Sequence, residues 1–194
     1  MLPPKEIVHT IAAIGFSKTK IPLNKLFILA LLAGFYIGIG GLLAITVGGG
    51  IPEIQASNPG LQKFIFGAVF PLGLILVVVA GAELFTGNTA LMVPGIIAKK
   101  LTYRDLFTNW VIVYLGNFLG SILLAYFFAY KTAVFSTAPW LDHVINIGTK
   151  KVTADTSVIF IKAIACNWLV CLAIWLSIAA KNLSGKILGI WFPI

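Results

Sequence analysis

The chain has 194 residues, 59% of them hydrophobic and 10% charged, with a mean hydropathy of +1.01 and a net charge of +8. A soluble domain of this length cannot hide so much apolar surface inside one core, and the basic residues lie between apolar runs instead of forming the aromatic-interleaved stripe of a nucleic-acid binder. Composition therefore excludes a water-soluble globule and a DNA or RNA partner, and points to one membrane-embedded domain over 1–194 in contact with the lipid bilayer.

In chain order, residues 4–17 predict a basic amphipathic helix lying on the membrane. The first 25 residues show no short apolar core with a small-residue cleavage site, so no removable signal peptide is expected. A first span runs from Phe27 to Val47, followed by a loop over 48-GGGIPEIQASNPG-60. A second apolar run starts at Leu61 and reaches Leu84, breaks at Phe85 to Asn88, and resumes from Thr89 to Ala98. The third span covers Leu106 to Tyr130, a polar connection carries Lys131, Asp142, His143, Lys150, Lys151 and Asp155, the fourth covers Ser157 to Ala180, and a fifth begins near Gly185.

With the N-terminus in the cytoplasm, nine Lys and Arg flank the inside ends of the spans and four flank the outside ends, which orients a multi-pass protein of the cell's inner membrane. Cys166 and Cys171 lie five apart in one run and are read as small packing thiols. Gly34, Gly38 and Gly41 are read as points of close helix approach. Lys162, near the start of the fourth span, is read as snorkelling to the interface.

An internal repeat links the two halves. The segment 67-GAVFP-71 returns as 189-GIWFP-193, and Ala30, Ala33, Gly34 and Gly38 match Ala163, Cys166, Asn167 and Cys171 at one offset. The first and fourth spans then cross in opposite directions, the inverted repeat of transporters and channels with a site near mid-membrane. The second copy stops at Ile194, just past its Phe-Pro, so the expectation is a piece of about four and a half spans from a three-plus-three architecture.

The stretch 77-VVVAGAELFTGNTALMVP-94 holds the candidate chemistry. Unpaired backbone groups in hydrocarbon cost several kcal/mol each, so a broken helix persists only where protein or a water-filled cavity satisfies it. Glu83 is read as the end of the first half-helix, and Thr86, Asn88 or Thr89 as caps of the second. A half-helix starting at membrane depth aims free N–H groups at the pore and favours an anion there. Glu83 is either a functional carboxylate or a brace for the loop.

The strings 83-ELFTGN-88 after 70-FPLGLILVVVAGA-82, 110-WVIVYLGNFLG-120, 150-KKV-152 and 167-NWLVCLAIW-175 together resemble the formate/nitrite transporter family from Phe27 to Ile194. The resemblance implies an all-α integral membrane protein with an aquaporin-like fold and broken helices. It implies a homopentamer of protomers that each pass formate, nitrite or hydrosulfide, with protons, and no cofactor. It places Phe70, Leu74, Leu84, Phe85 and Val170 at apolar constrictions, Thr86 on the passing solute, Asn167 on the pore wall and Lys151 in the vestibule, with Glu83 and Asn88 as loop support. Glu83 stands where other members carry Asp, and the family's central histidine falls beyond Ile194, a role that His9 and His143 do not fill. Formate is favoured on family frequency alone, and channel and proton symporter stay open.

Physics narrows the passenger. A carboxylate entering an apolar neck loses hydration worth several kcal/mol. Protonating an acid whose pKa lies about three units below ambient pH costs about 4 kcal/mol. The neutral form is therefore the expected passenger. The rival readings are weaker: an aquaporin-type channel needs Asn-Pro-Ala at both half-helices, whereas only 58-NPG-60 is present, and a haem-binding membrane anchor needs paired histidines within spans. No nucleophile–His pair or metal-ligand cluster points to an enzyme.

Overall fold

The computed structural model describes residues 1–194 as ten α-helices joined by short turns. Four helical stretches are long and apolar enough to cross a bilayer: Leu23–Gly49, Pro59–Ala80, Tyr103–Tyr130 and Thr156–Ala179. They coincide with the four long apolar runs of the sequence. The first is helix α2 (Leu23–Gly49), after α1 (Pro4–Lys18). The second divides into α4 (Pro59–Val69) and α5 (Leu72–Ala80) at Phe70-Pro71, since proline has no N–H for the helix ladder. The short α6 (Phe85–Ile97) follows, then α7 (Tyr103–Leu124), whose last turns continue as a π-helix to Tyr130. The amphipathic α8 (Trp140–Val152) precedes α9 (Thr156–Ala179) and α10 (Leu183–Trp191).

Polar side chains start four of these helices where the sequence leaves hydrocarbon. Asn58 Oδ1 accepts from the Leu61 N–H, Asn182 Oδ1 from the Gly185 N–H, and Asp155 Oδ1 from the Ser157 N–H. Thr102 and Asp105 form a reciprocal capping box on α7. The hydrogen bonds from Ser157 hold the Asp155 carboxyl below the usual carboxylate range.

Helices α2 and α7 form the most intimate pair. Gly116 and Gly120 make a small-xxx-small ridge on α7, and a Cβ on Gly120 would strike the Leu31 carbonyl, as one on Gly34 would strike that of Asn117. Gly38 abuts the Leu124 side chain, whereas Gly41 faces open space, so only two of the three glycines expected at helix contacts make one.

Three further expectations are corrected. Residues 48–60 are not all loop, because α3 (Pro52–Ser57) and the first turn of α4 form within them, each led by a proline at a position needing no N–H. Helix α1 does not reserve its apolar face for lipid: Ile7, Ile11 and Ala12 are buried, Ile7 and Ile11 join Leu74, Leu91 and Ile174 in the main core, and the Leu2 N–H donates to the Ala179 carbonyl at 3.0 Å. Gly15 lets α1 lie directly on α6, where an added Cβ would overlap the Leu91 carbonyl. Gly15→Leu is expected to lower the melting temperature by roughly 5 °C and to open the Lys18–Lys20 turn to trypsin, read by thermal unfolding and limited proteolysis.

The two similar pentapeptides meet in space. Helices α4 and α10 each end one residue before a Phe-Pro pair, and Trp191 Nε1 donates to the Ala68 carbonyl at 2.6 Å. Helix α8 packs on the C-terminal end of α2, with Trp140 Nε1 donating to the Thr46 carbonyl at 2.9 Å, while α1 packs against α6 and the C-terminal end of α9. The bundle thus has an α8 face and an α1 face.

Candidate functional site

The interruption in the second apolar run lies at Gly81–Leu84, four residues earlier than the sequence indicates. Gly81 ends α5 in the left-handed conformation, φ 78°, which a Cβ disfavours, and its N–H closes the helix on the Val77 carbonyl. Phe85 to Asn88 form the first turn of α6, and Glu83 lies inside the break instead of ending a helix.

None of Thr86, Asn88 or Thr89 caps α6. Its Phe85 N–H donates to Asn117 Oδ1 of α7 at 2.8 Å. The Asn117 amide nitrogen donates to the Glu83 carbonyl at 2.9 Å and the Ala30 carbonyl at 2.7 Å, and the Glu83 N–H donates to the Leu29 carbonyl at 3.2 Å. One amide side chain thus ties the break to α2 and satisfies backbone groups that water cannot reach.

The Glu83 side chain anchors a second polar cluster. Its Oε1 accepts from Lys18 Nζ of α1 at 2.6 Å, with side-chain exposures of 6% for Glu83 and 11% for Lys18, and its Oε2 accepts from Asn88 Nδ2 at 2.8 Å. Asn88 Nδ2 also donates to Asn109 Oδ1 at 2.9 Å. Beside this cluster a cavity of about 260 Å³ is walled by Val77, Leu84, Asn88, Ile174, Ser177 and Lys186. It opens on the α1 face.

A third polar group bridges α6 and α9. Thr89 Oγ1 donates to the Thr86 carbonyl at 2.6 Å, so its one hydrogen is committed and it accepts from Asn167 Nδ2 at 3.0 Å. This fixes the amide orientation and leaves Asn167 Oδ1 buried without a donor, halfway along the 24-residue α9. Cys171 lies 3.7 Å from Thr89 Oγ1, while Cys166 is exposed.

Several of the expected site residues converge on this seam. Leu74 is buried in the main core, and Leu84 and Val170 pack on the same cluster. Thr86 starts the helix wall beside them, and its side chain takes no partner in the chain. Phe70 stands half-buried at the α4–α5 bend. Lys151 is exposed in the last turn of α8, on the opposite face from Lys18, and Lys162 is exposed on α9. Phe85 departs from the expected constriction. As the first residue of α6 it turns its ring onto α7, 5.5 Å from Tyr114 and 5.9 Å from Trp110 between ring centres, in a cluster with Leu26, Ala30 and Val113.

Sequence reasoning missed Asn117, Asn109, Lys18, Thr89 as a hydroxyl bridge, and Cys171. The signal for the asparagines was their type: an amide inside an apolar run must find hydrogen-bond partners. For Lys18 it was the intramembrane carboxylate itself, which needs a cation.

Residues 5–194 match the family model described as formate/nitrite transporter. A probable formate transporter of Methanothermobacter thermautotrophicus is 43% identical over 206 residues, covering 98% of this chain and 74% of the relative. The chain belongs to the formate/nitrite transporter family. Among solved structures, a formate/nitrite transporter family ion channel aligns with a TM-score of 0.85 at 29% identity, over 97% of this chain and 74% of that one. A pentameric formate channel with formate bound aligns with a TM-score of 0.78 at 34% identity, over 88% and 66%. The fold is that of the family's channels, the protein is a multi-pass membrane transporter, and its relatives are transporters and channels, not enzymes.

Proposed function

We propose that this transporter moves small monovalent conjugate bases of weak acids, formate first and nitrite or hydrosulfide after it, along the seam between α5, α6 and α9, and that the passing species is the neutral acid. The single observation that carries this reading is Asn167 Oδ1, a buried acceptor without a donor in mid-span. An O–H or S–H supplies the missing hydrogen, whereas an anion adds a second acceptor and gains nothing there. Leu74, Leu84 and Val170 line the apolar stretch, and Thr86 and Asn167 offer polar contacts within it. Stripping hydration in that stretch raises the proton affinity of the entering anion. Phe85 belongs to the wall against α7, not to the neck.

The formate assignment is supported by the formate transporter and formate channel among the similar proteins. The pentameric formate channel supports a homopentamer, and the meeting of the two Phe-Pro ends supports an inverted repeat within one transporter domain. The basic flanks support an N-terminus in the cytoplasm, with α1 on that side and α8 outside.

Lys151, exposed beside the start of α9, gathers anions before the neck. Lys151→Ala is expected to slow formate uptake into proteoliposomes about tenfold at low ionic strength, with a smaller effect at 0.5 M salt as the charge is screened. Uptake equal to the parent at low salt contradicts that role.

A further inference from the structure

A second polar site lies away from the seam, on the α8 face. A cavity of about 250 Å³ between α4 and α8 is lined by Gln55, Lys63, Phe66, His143, Asn146 and Lys150. Two lysines, a histidine and side-chain amides surround it, and none of the residues around it is acidic. Its floor is structured: Gln62 Nε2 donates to the Gly48 carbonyl at 2.7 Å, and the His143 ring fits against Gly49 and lies 6.1 Å from the Phe66 ring. His143 Nε2 is buried there without a hydrogen-bond partner.

We propose that this cavity binds a small oxyanion between Lys63 and Lys150, with protonated His143 Nε2 donating to it and Gln55 and Asn146 supplying amide donors. Two like charges facing an empty cavity repel each other, and an unpartnered buried ring nitrogen is costly. An oxyanion removes both penalties, because its oxygens accept from every group named. The charges around His143 are few: Lys63 from α4, Lys150 from its own helix, and Asp142, which lines an adjoining cavity of about 350 Å³. Helix α2 presents Gly49 and no charge, and Glu53 of α3 lines neither cavity.

Binding and protonation are therefore linked. Without the anion, burial and then the Lys150 charge hold the His143 pKa below the ordinary histidine value. An anion between the lysines opposes both effects and raises it, and by reciprocity a fall in pH tightens anion binding. The site rests on no assumption about what crosses the membrane.

The test is an NMR titration of ring-labelled histidine in the full-length protein, in phosphate-free detergent, with and without sulfate at constant ionic strength set by chloride. Sulfate is expected to raise the proton affinity of His143 about tenfold and to leave exposed His9 on α1 unmoved. In a Lys63→Gln/Lys150→Gln variant the sulfate effect is expected to vanish. In nanodiscs of phosphatidylglycerol, a His143 midpoint already raised and insensitive to sulfate assigns the oxyanion to a lipid phosphate; a midpoint that still responds assigns it to a free anion. Equal sulfate effects on His9 and His143, no effect in either medium, or an effect that survives loss of both lysines overturns the proposal.

Discussion

Asn117→Leu is expected to abolish most transport, at least tenfold in proteoliposome flux, and to lower stability by about 3 kcal/mol. Leucine matches asparagine in size but leaves the Phe85 N–H without its acceptor and the Ala30 and Glu83 carbonyls without their donor. Each unsatisfied buried group costs about 1–3 kcal/mol. The loss falls on the segment that holds α5 and α6 in register, so the seam loses its geometry along with its stability. Thermal unfolding in detergent reads the first effect and radiolabelled formate uptake the second. Parental values in both assays would mean that the break does not depend on α7.

Lys18→Ala has the second large effect. Both partners of the Lys18–Glu83 pair are nearly buried, and removing one partner of such a pair costs about 3–5 kcal/mol because the other charge is left uncompensated. A melting temperature lower by roughly 10 °C is expected. The double variant Lys18→Met/Glu83→Leu is expected to be more stable than Lys18→Ala, since apolar replacement removes the stranded charge together with its partner. A double variant whose loss equals the sum of the single losses would show that the pair acts as two independent contacts. Because Lys18 belongs to α1 and Glu83 to the break, the same ion pair fastens the terminal helix to the transport segment.

The spans were legible because hydrocarbon demands long apolar runs, and the structure places helices over each one. The family was legible from ELFTGN and its companion strings, which the matches over 5–194 bear out. The position of the break was not legible, for a definite reason. Sequence reasoning sought a cap among nearby polar residues and chose Thr86, Asn88 and Thr89, but the cap is Asn117, brought in by tertiary packing of α7. Local propensity could not see that partner. The same blindness hid the docking of α1, whose few apolar residues look like a lipid-facing stripe until Gly15 meets the Leu91 carbonyl. It also put Phe85 in the neck, since the direction of its ring depends on where α6 starts.

Proton stoichiometry bears most directly on passage as the neutral acid. Proteoliposomes carrying an internal pH indicator and clamped at a set membrane potential should acidify when formate is added outside, faster than protein-free vesicles, at a rate independent of the potential. Chloride should enter at least tenfold more slowly. Formate entry that follows the potential without acidifying the lumen, with chloride passing equally well, would contradict an apolar seam that admits the acid only in its uncharged form.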